Sequence, residues 1–127
     1  MAGELQAVVE QMLGAFEKQD GDAAMAVTTS DVQGVDEISR RWMRGTKEMK
    51  EYFGQLAGMV TDVRSDLNDV HETIAGDIGV LSCWMEQDYT MGGEKVHVSA
   101  PTTVVLRREG GQWKVALFHS IPLSEQS

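Results

Sequence analysis

The chain has 127 residues, 42% of them hydrophobic and 24% charged, which suits one soluble domain that removes roughly two-thirds of its surface from water and excludes a disordered tail. Eleven Lys and Arg against twenty Asp and Glu give a formal net charge of -9, and that field repels phosphate backbones and anionic headgroups, so neither nucleic acid nor membrane is an expected partner. The single cysteine, Cys83, excludes an intrachain disulfide and a multi-cysteine metal site.

Leu5, Val8, Val9, Met12, Leu13 and Phe16 recur every three or four residues, the stripe of an amphipathic helix. The run Gln19-Asp20-Gly21-Asp22 breaks it, and Asp20 or Asp22 is placed to cap a second, short helix over Ala23, Ala24, Met25 and Val27. Residues 31–41 carry Val32, Val35 and Ile38 without a helical stripe, which predicts a first strand. Gly45 then punctuates, Thr46 is the expected N-cap, and Met49, Phe53, Leu56 and Val60 are spaced for the buried face of a third helix.

Beyond Asp62 the texture turns to β, with strands expected over 70–75, 80–91, 95–107 and 113–121. Gly76-Asp77, Gly92-Gly93 and Gly110-Gly111 separate them as the turns of an antiparallel meander should, because glycine reaches positive φ without strain. The order is α-α-β-α-β-β-β-β, with no repeats or linkers, so residues 1–127 read as a single α+β domain with helices on one side of a curved sheet. Long strands around a few helices leave a pocket, and methionines such as Met12, Met25, Met43, Met49, Met59, Met85 and Met91 suit an adaptable lining or serve as core filler. No apolar stretch approaches the roughly 18 residues of a membrane span. Glu4 stands where a signal peptide would carry Lys or Arg, so a cytoplasmic setting is expected.

The element order, the break at Gly21-Asp22, the segment from Asp36 to Arg44-Gly45-Thr46 and the Gly-Gly-Gln-Trp-Lys-Val run from Gly110 to Val115 together resemble the nuclear transport factor 2-like superfamily, over nearly the whole chain. The nearest branch is SnoaL-like and ketosteroid-isomerase-like. That resemblance implies a cone-shaped roll, its three helices packed on a curved, mixed but mostly antiparallel sheet around a deep apolar cavity, and dimerisation through the sheet. It also implies an aspartate base nine residues before the Gly of a Gly-Thr, a place held here by Asp36 ahead of Gly45-Thr46. The oxyanion hole of the isomerases needs a tyrosine on helix one and a protonated aspartate on a sheet strand. Gly14 and Thr103 fall at those two places, so a standard steroid isomerase is not expected.

A carboxylate in an apolar pocket has its ionised form disfavoured and becomes a competent acceptor of a proton from carbon beside a carbonyl. Asp36 is therefore the first catalytic candidate, the alternative being an ion pair with Arg40, Arg41 or Arg44. His119, in Phe118-His119-Ser120, is the second, since imidazole donates or accepts a proton near neutrality. The alternative is a histidine hydrogen-bonded at the sheet face or a dimer seam. Met12, Phe16, Trp42, Phe53, Trp84, Thr103 and Phe118 are candidate ligand contacts, with Trp42 and Trp84 flooring a pocket or packing in the core. His97 shares a strand face with Ser99 and Thr103 unless Pro101 bulges the strand, and Glu86 with Asp88 forms an acidic pair facing water.

His71, His97 and His119 are too far apart for a zinc motif, and no phosphate loop, nucleophile elbow or dinucleotide fingerprint is present. No metal or cofactor is expected. Two readings follow: a cofactor-independent isomerase, cyclase or hydratase acting on a small apolar molecule with Asp36 as base, or a non-catalytic binding or dimerisation module. A homodimer is expected under either, because the last strand has apolar residues on both faces, Val115 and Leu117 against Ala116 and Phe118.

Overall fold

A computed structural model describes residues 3–123. Helices α1 (Glu4–Glu17) and α2 (Gly21–Ala26) lead into β1 (Thr28–Asp36), then a short β2 (Met43–Arg44), α3 (Gly45–Ala57), and the long strands β3 (Val60–Ala75), β4 (Ile78–Met91), β5 (Glu94–Glu109) and β6 (Gln112–Ser120). The six strands form one sheet in the order β2-β1-β6-β5-β4-β3. β1 lies parallel to β6 and each other neighbouring pair is antiparallel. Three helices and a mixed, mostly antiparallel sheet give the α+β cone that the sequence implied.

Local chemistry explains where the elements begin and end. Asp20 caps α2, its Oδ1 accepting the Ala23 N–H at 3.0 Å. Arg44 rather than Thr46 is the N-cap of α3; Glu48 reaches back to accept the Arg44 N–H at 2.9 Å, and the Thr46 hydroxyl points to the Ser30 carbonyl. Val60 opens β3 instead of closing the helix, which stops before Gly58. The first strand ends at Asp36, not near Arg41, because the Asp36 carboxylate folds the next residues into a turn. That turn returns the chain to β2, which pairs Arg44 with Gln33 and Met43 with Gly34.

β3 is longer than its sequence pattern suggests. Asp62 and Asp69 adopt φ of 55° and 52° at two breaks in the β3–β4 register, so alternation is lost there and the strand reads as loop. The turns Gly92-Gly93 and Gly110-Gly111 have φ of 61° and 82°, and 58° and 80°, the paired positive values of a two-residue hairpin. Pro101 causes no bulge: it pairs with Trp84 in unbroken register and falls just outside the stretch of β5 that pairs with β6. The bulge lies instead on β6, where Val105 faces Leu117 but Leu106 faces Val115. One extra residue switches the side-chain parity, so Val115 and Phe118 both line the interior, correcting the alternation expected for that strand.

The core lies between the helices and the concave face. Leu5 and Val9 of α1 join Leu81, Val104, Leu106 and Val115, all fully buried, in one cluster. α1 approaches so closely that a Cβ at Gly79 would sit 2.7 Å from Leu5 Cδ1. No side chain of its own caps α1; Glu72 of β3 does so from across the fold, its Oε1 accepting Leu5 N–H at 3.1 Å and its Oε2 Gln6 N–H at 3.0 Å. Glu72→Ala leaves both helix donors unpartnered and should lower the unfolding free energy by about 1 kcal/mol, read as a lower urea midpoint at unchanged slope.

Candidate functional site

α1, α3 and the concave face of the sheet enclose a narrow pocket of about 40 Å³, counted as space open to the centre of a water-sized sphere. Met12 and Phe16 enter from α1, Met49, Tyr52 and Phe53 from α3, Met43 from β2, Met85 and Gln87 from β4, and Phe118 from β6. Phe16 and Phe53 meet edge to face with centroids 5.5 Å apart. The surface is mainly apolar, and its polar side chains are Asp36, Tyr52 and Gln87.

Asp36 is the last residue of β1. Tyr52 Oη lies 2.7 Å from both of its carboxylate oxygens and donates its proton between them. Oδ1 also accepts the Ile38 N–H at 3.0 Å and the Ser39 N–H at 2.8 Å, while the Arg40 N–H closes the turn on the Asp36 carbonyl. Burial first, then the adjacent Asp36, pushes the Tyr52 phenol far above its ordinary range, so the proton stays on tyrosine. Among the described residues Asp36 forms no ion pair: Arg44 donates to Gln33, and Arg40 sits in the turn with φ of 53°. The arginine alternative is not the arrangement adopted.

Glu37 follows. Both of its carboxylate oxygens are shut off from water and neither has a hydrogen-bond partner. Burial pushes its pKa up to about 7, and the neighbouring Asp36 acts in the same direction. Its charge is felt by Tyr52 and by Tyr89, whose phenol is pushed up to about 12, mainly by burial. An unpartnered buried carboxylate is expensive, and perturbed acids of this kind are concentrated at functional sites.

These features have counterparts among known proteins. The model of the SnoaL-like domain matches residues 5–124. The chain belongs to the SnoaL-like domain family. Solved structures share the fold at low identity. A ketosteroid isomerase-like protein from Erwinia carotovora atroseptica is 21% identical with a TM-score of 0.81, covering 96% of this chain and 95% of that one. An NTF2-like protein of unknown function from Pseudomonas putida is 22% identical at TM-score 0.79, covering 95% and 86%. The CaMKII hub of S. rosetta is 18% identical at 0.82, covering 97% and 99%. No curated protein matches the chain.

Of the residues singled out in the sequence, this SnoaL-like chain gathers Asp36, Met12, Phe16, Phe53 and Phe118 around the pocket. Trp42, Trp84, Thr103 and His119 go to the opposite, convex face. Trp42 is 40% and Trp84 39% exposed. Trp42 stands 6.0 Å from the ring of His119, which pairs with Thr103 across the strands. The reason is parity: on β5 the even-numbered Ala100, Thr102 and Val104 turn inward, so Thr103 turns out, and the Thr102 hydroxyl meets Ser120 Oγ at 2.8 Å. Gly14 does not line the pocket, whereas Met12 and Leu13 do. His97 sits on the convex face, its Nδ1 2.7 Å from Asp88 Oδ1; that hydrogen bond, with Glu86 beside it, raises its pKa.

Tyr52, Glu37 and Gln87 were not among the sequence candidates. Tyr52 was discernible as the i+3 partner of Met49 on the buried face of α3. Glu37 gave no signal beyond its place next to Asp36. Its raised folded-state pKa means the native state holds a proton that the unfolded chain releases near 4.5, so stability falls as pH rises from there through about 7. Glu37→Gln should flatten that decline and make the protein about 1–3 kcal/mol more stable than the parent at pH 8, measured by urea unfolding at pH 5 and pH 8.

Proposed function

We propose that the protein binds a small, largely apolar molecule in this pocket, and that Asp36 accepts a proton from carbon beside a carbonyl of that molecule, as in an isomerisation or cyclisation. The observation that carries the reading is the Asp36–Tyr52 pair in the wall of a mainly apolar, methionine-lined pocket. Oδ1 is occupied by three donors, but Oδ2 shares only the tyrosine proton and keeps electron density for a substrate proton. Water is largely excluded, which strengthens each electrostatic contact. Space of about 40 Å³ holds about three waters, so a ligand enters by displacing the flexible Met12, Met43, Met49 and Met85 side chains. The likeness to a ketosteroid isomerase-like protein agrees with proton transfer at such a site, though the shared feature at that identity is the fold.

Deuterium uptake into enolisable ketones, followed by proton NMR, tests the reading. Asp36→Asn should slow exchange roughly 10²–10⁴-fold, and Tyr52→Phe should slow it less. Ligand binding without exchange in the parent protein would instead favour the binding module.

A homodimer through the convex face is proposed with it. Trp42, Ile78, Val80 and Trp84 are between 38% and 44% exposed, and an open groove beside them is lined by His71, Trp84, Thr103 and His119. Apolar surface of that kind marks an association face, and the fold is shared with a hub domain. Sedimentation velocity at micromolar concentration should give the mass of a dimer, and Trp84→Asp should move it to the monomer; a parent protein that sediments as a monomer ends the proposal.

A further inference from the structure

The polar groups in and beside the pocket differ in whether they have a proton to give. The Tyr52 proton is committed to Asp36. Gln87 Nε2 donates to Ser65 Oγ at 3.0 Å. Asp36 is an acceptor of three donors and has none to offer. Lys, Arg and His are absent from the described pocket lining. Among the described residues Glu37 alone is a carboxyl with both oxygens unpartnered and sealed from water; it follows Asp36 directly, and its charge is felt by Tyr52 and Tyr89. Two abutting carboxyls do not both ionise cheaply. The one wrapped in donors takes the charge and the one without donors keeps the proton. Environments that separate two acids in this way assign one as base and the other as acid.

We propose that Glu37 is the general acid of the site, donating its proton to the carbonyl oxygen of the ligand while Asp36 removes the proton from the adjacent carbon. The inference rests on the proton-transfer reading of Asp36 and adds the donor that the places held by Gly14 and Thr103 do not supply. In the first step the C–H bond breaks and its proton joins Asp36; the O–H bond of Glu37 breaks and its proton joins the ligand oxygen, leaving a neutral enol. In the second step Asp36 returns its proton to carbon and Glu37 recovers its own from the enol oxygen. Both carboxyls end as they began, and no oxidant, reductant or cofactor enters the balance. The ligand class is an enolisable ketone or aldehyde on an apolar frame. Glu37 is not itself among the residues lining the pocket, so its proton reaches the ligand oxygen only after a rotation of that side chain, which has one more rotatable bond than aspartate.

The test compares the parent protein, Glu37→Gln, Glu37→Asp and Asp36→Asn, using cyclohexanone and 2-tetralone in deuterated buffer from pH 5 to pH 9, with carbon NMR of the Glu37 carboxyl in the free protein. The expected result is parent exchange that declines above about pH 7, together with a Glu37 resonance that titrates at the same midpoint. Glu37→Gln should be roughly 10²-fold slower at pH 6 and lose the alkaline decline, and Glu37→Asp should recover part of both. A merely structural role for Glu37 would lower the rate without removing the pH dependence. Exchange that is abolished in Asp36→Asn but keeps the parent rate and profile in Glu37→Gln overturns the donor role and leaves the Asp36 reading intact. Exchange unaffected by Asp36→Asn, or no exchange of either ketone by the parent, overturns the Asp36 reading and the donor role together. A Glu37 carboxyl that titrates in the ordinary glutamate range overturns the donor role by itself.

Discussion

The carboxylate of Asp36 is the joint on which the site is built. It ends β1, gathers the amides of Ile38 and Ser39 into a turn and receives the phenol of Tyr52 from α3. Each contact is a charge-assisted hydrogen bond in a place with little water, where such bonds are strongest and an unmet group is most costly. Because one carboxylate both closes the turn and receives the phenol, strand end, helix face and polar group are positioned together. The next residue, Glu37, is thereby delivered to the interior with no donor of its own.

Around that joint the pocket is deliberately uneven. Its walls are methionine and phenylalanine, which repack without leaving fixed rotamers far behind, while its polar end is held rigidly by backbone and phenol. A rigid chemical end with a soft apolar body is suited to holding one functional group in register while tolerating variation in the rest of a ligand. The net charge of -9 works in the same direction, since it disfavours anionic molecules at long range.

The two faces of the sheet divide the work. The concave face is filled by helices and pocket, and the convex face carries tryptophans, aliphatic side chains and the histidines His97 and His119 in open view. Membership of the SnoaL-like family and likeness to an isomerase-like protein and to a hub domain fix the frame that makes both faces available. A shared frame does not by itself assign chemistry, which is why the reading rests on Asp36, Tyr52 and Glu37.

The sequence by itself determined the helices, because the stripes Leu5 to Phe16 and Met49 to Leu56 follow the helical period whatever they pack against. It also determined the hairpin turns, because only glycine reaches the paired positive φ values without strain. The Asp36-to-Gly45 spacing singled out the aspartate on the first strand, and the structure put it at that strand's end. Tertiary structure decided which side chains meet. A single bulge on β6 reversed the parity of Phe118 and His119, and two left-handed aspartates hid the first half of β3. The parity of β5 sent Thr103 outward, and Trp42 and Trp84 likewise stand on the convex face. The isolation of Glu37 is of the same kind: burial and the absence of a partner are properties of everything around a residue, and no local pattern records them.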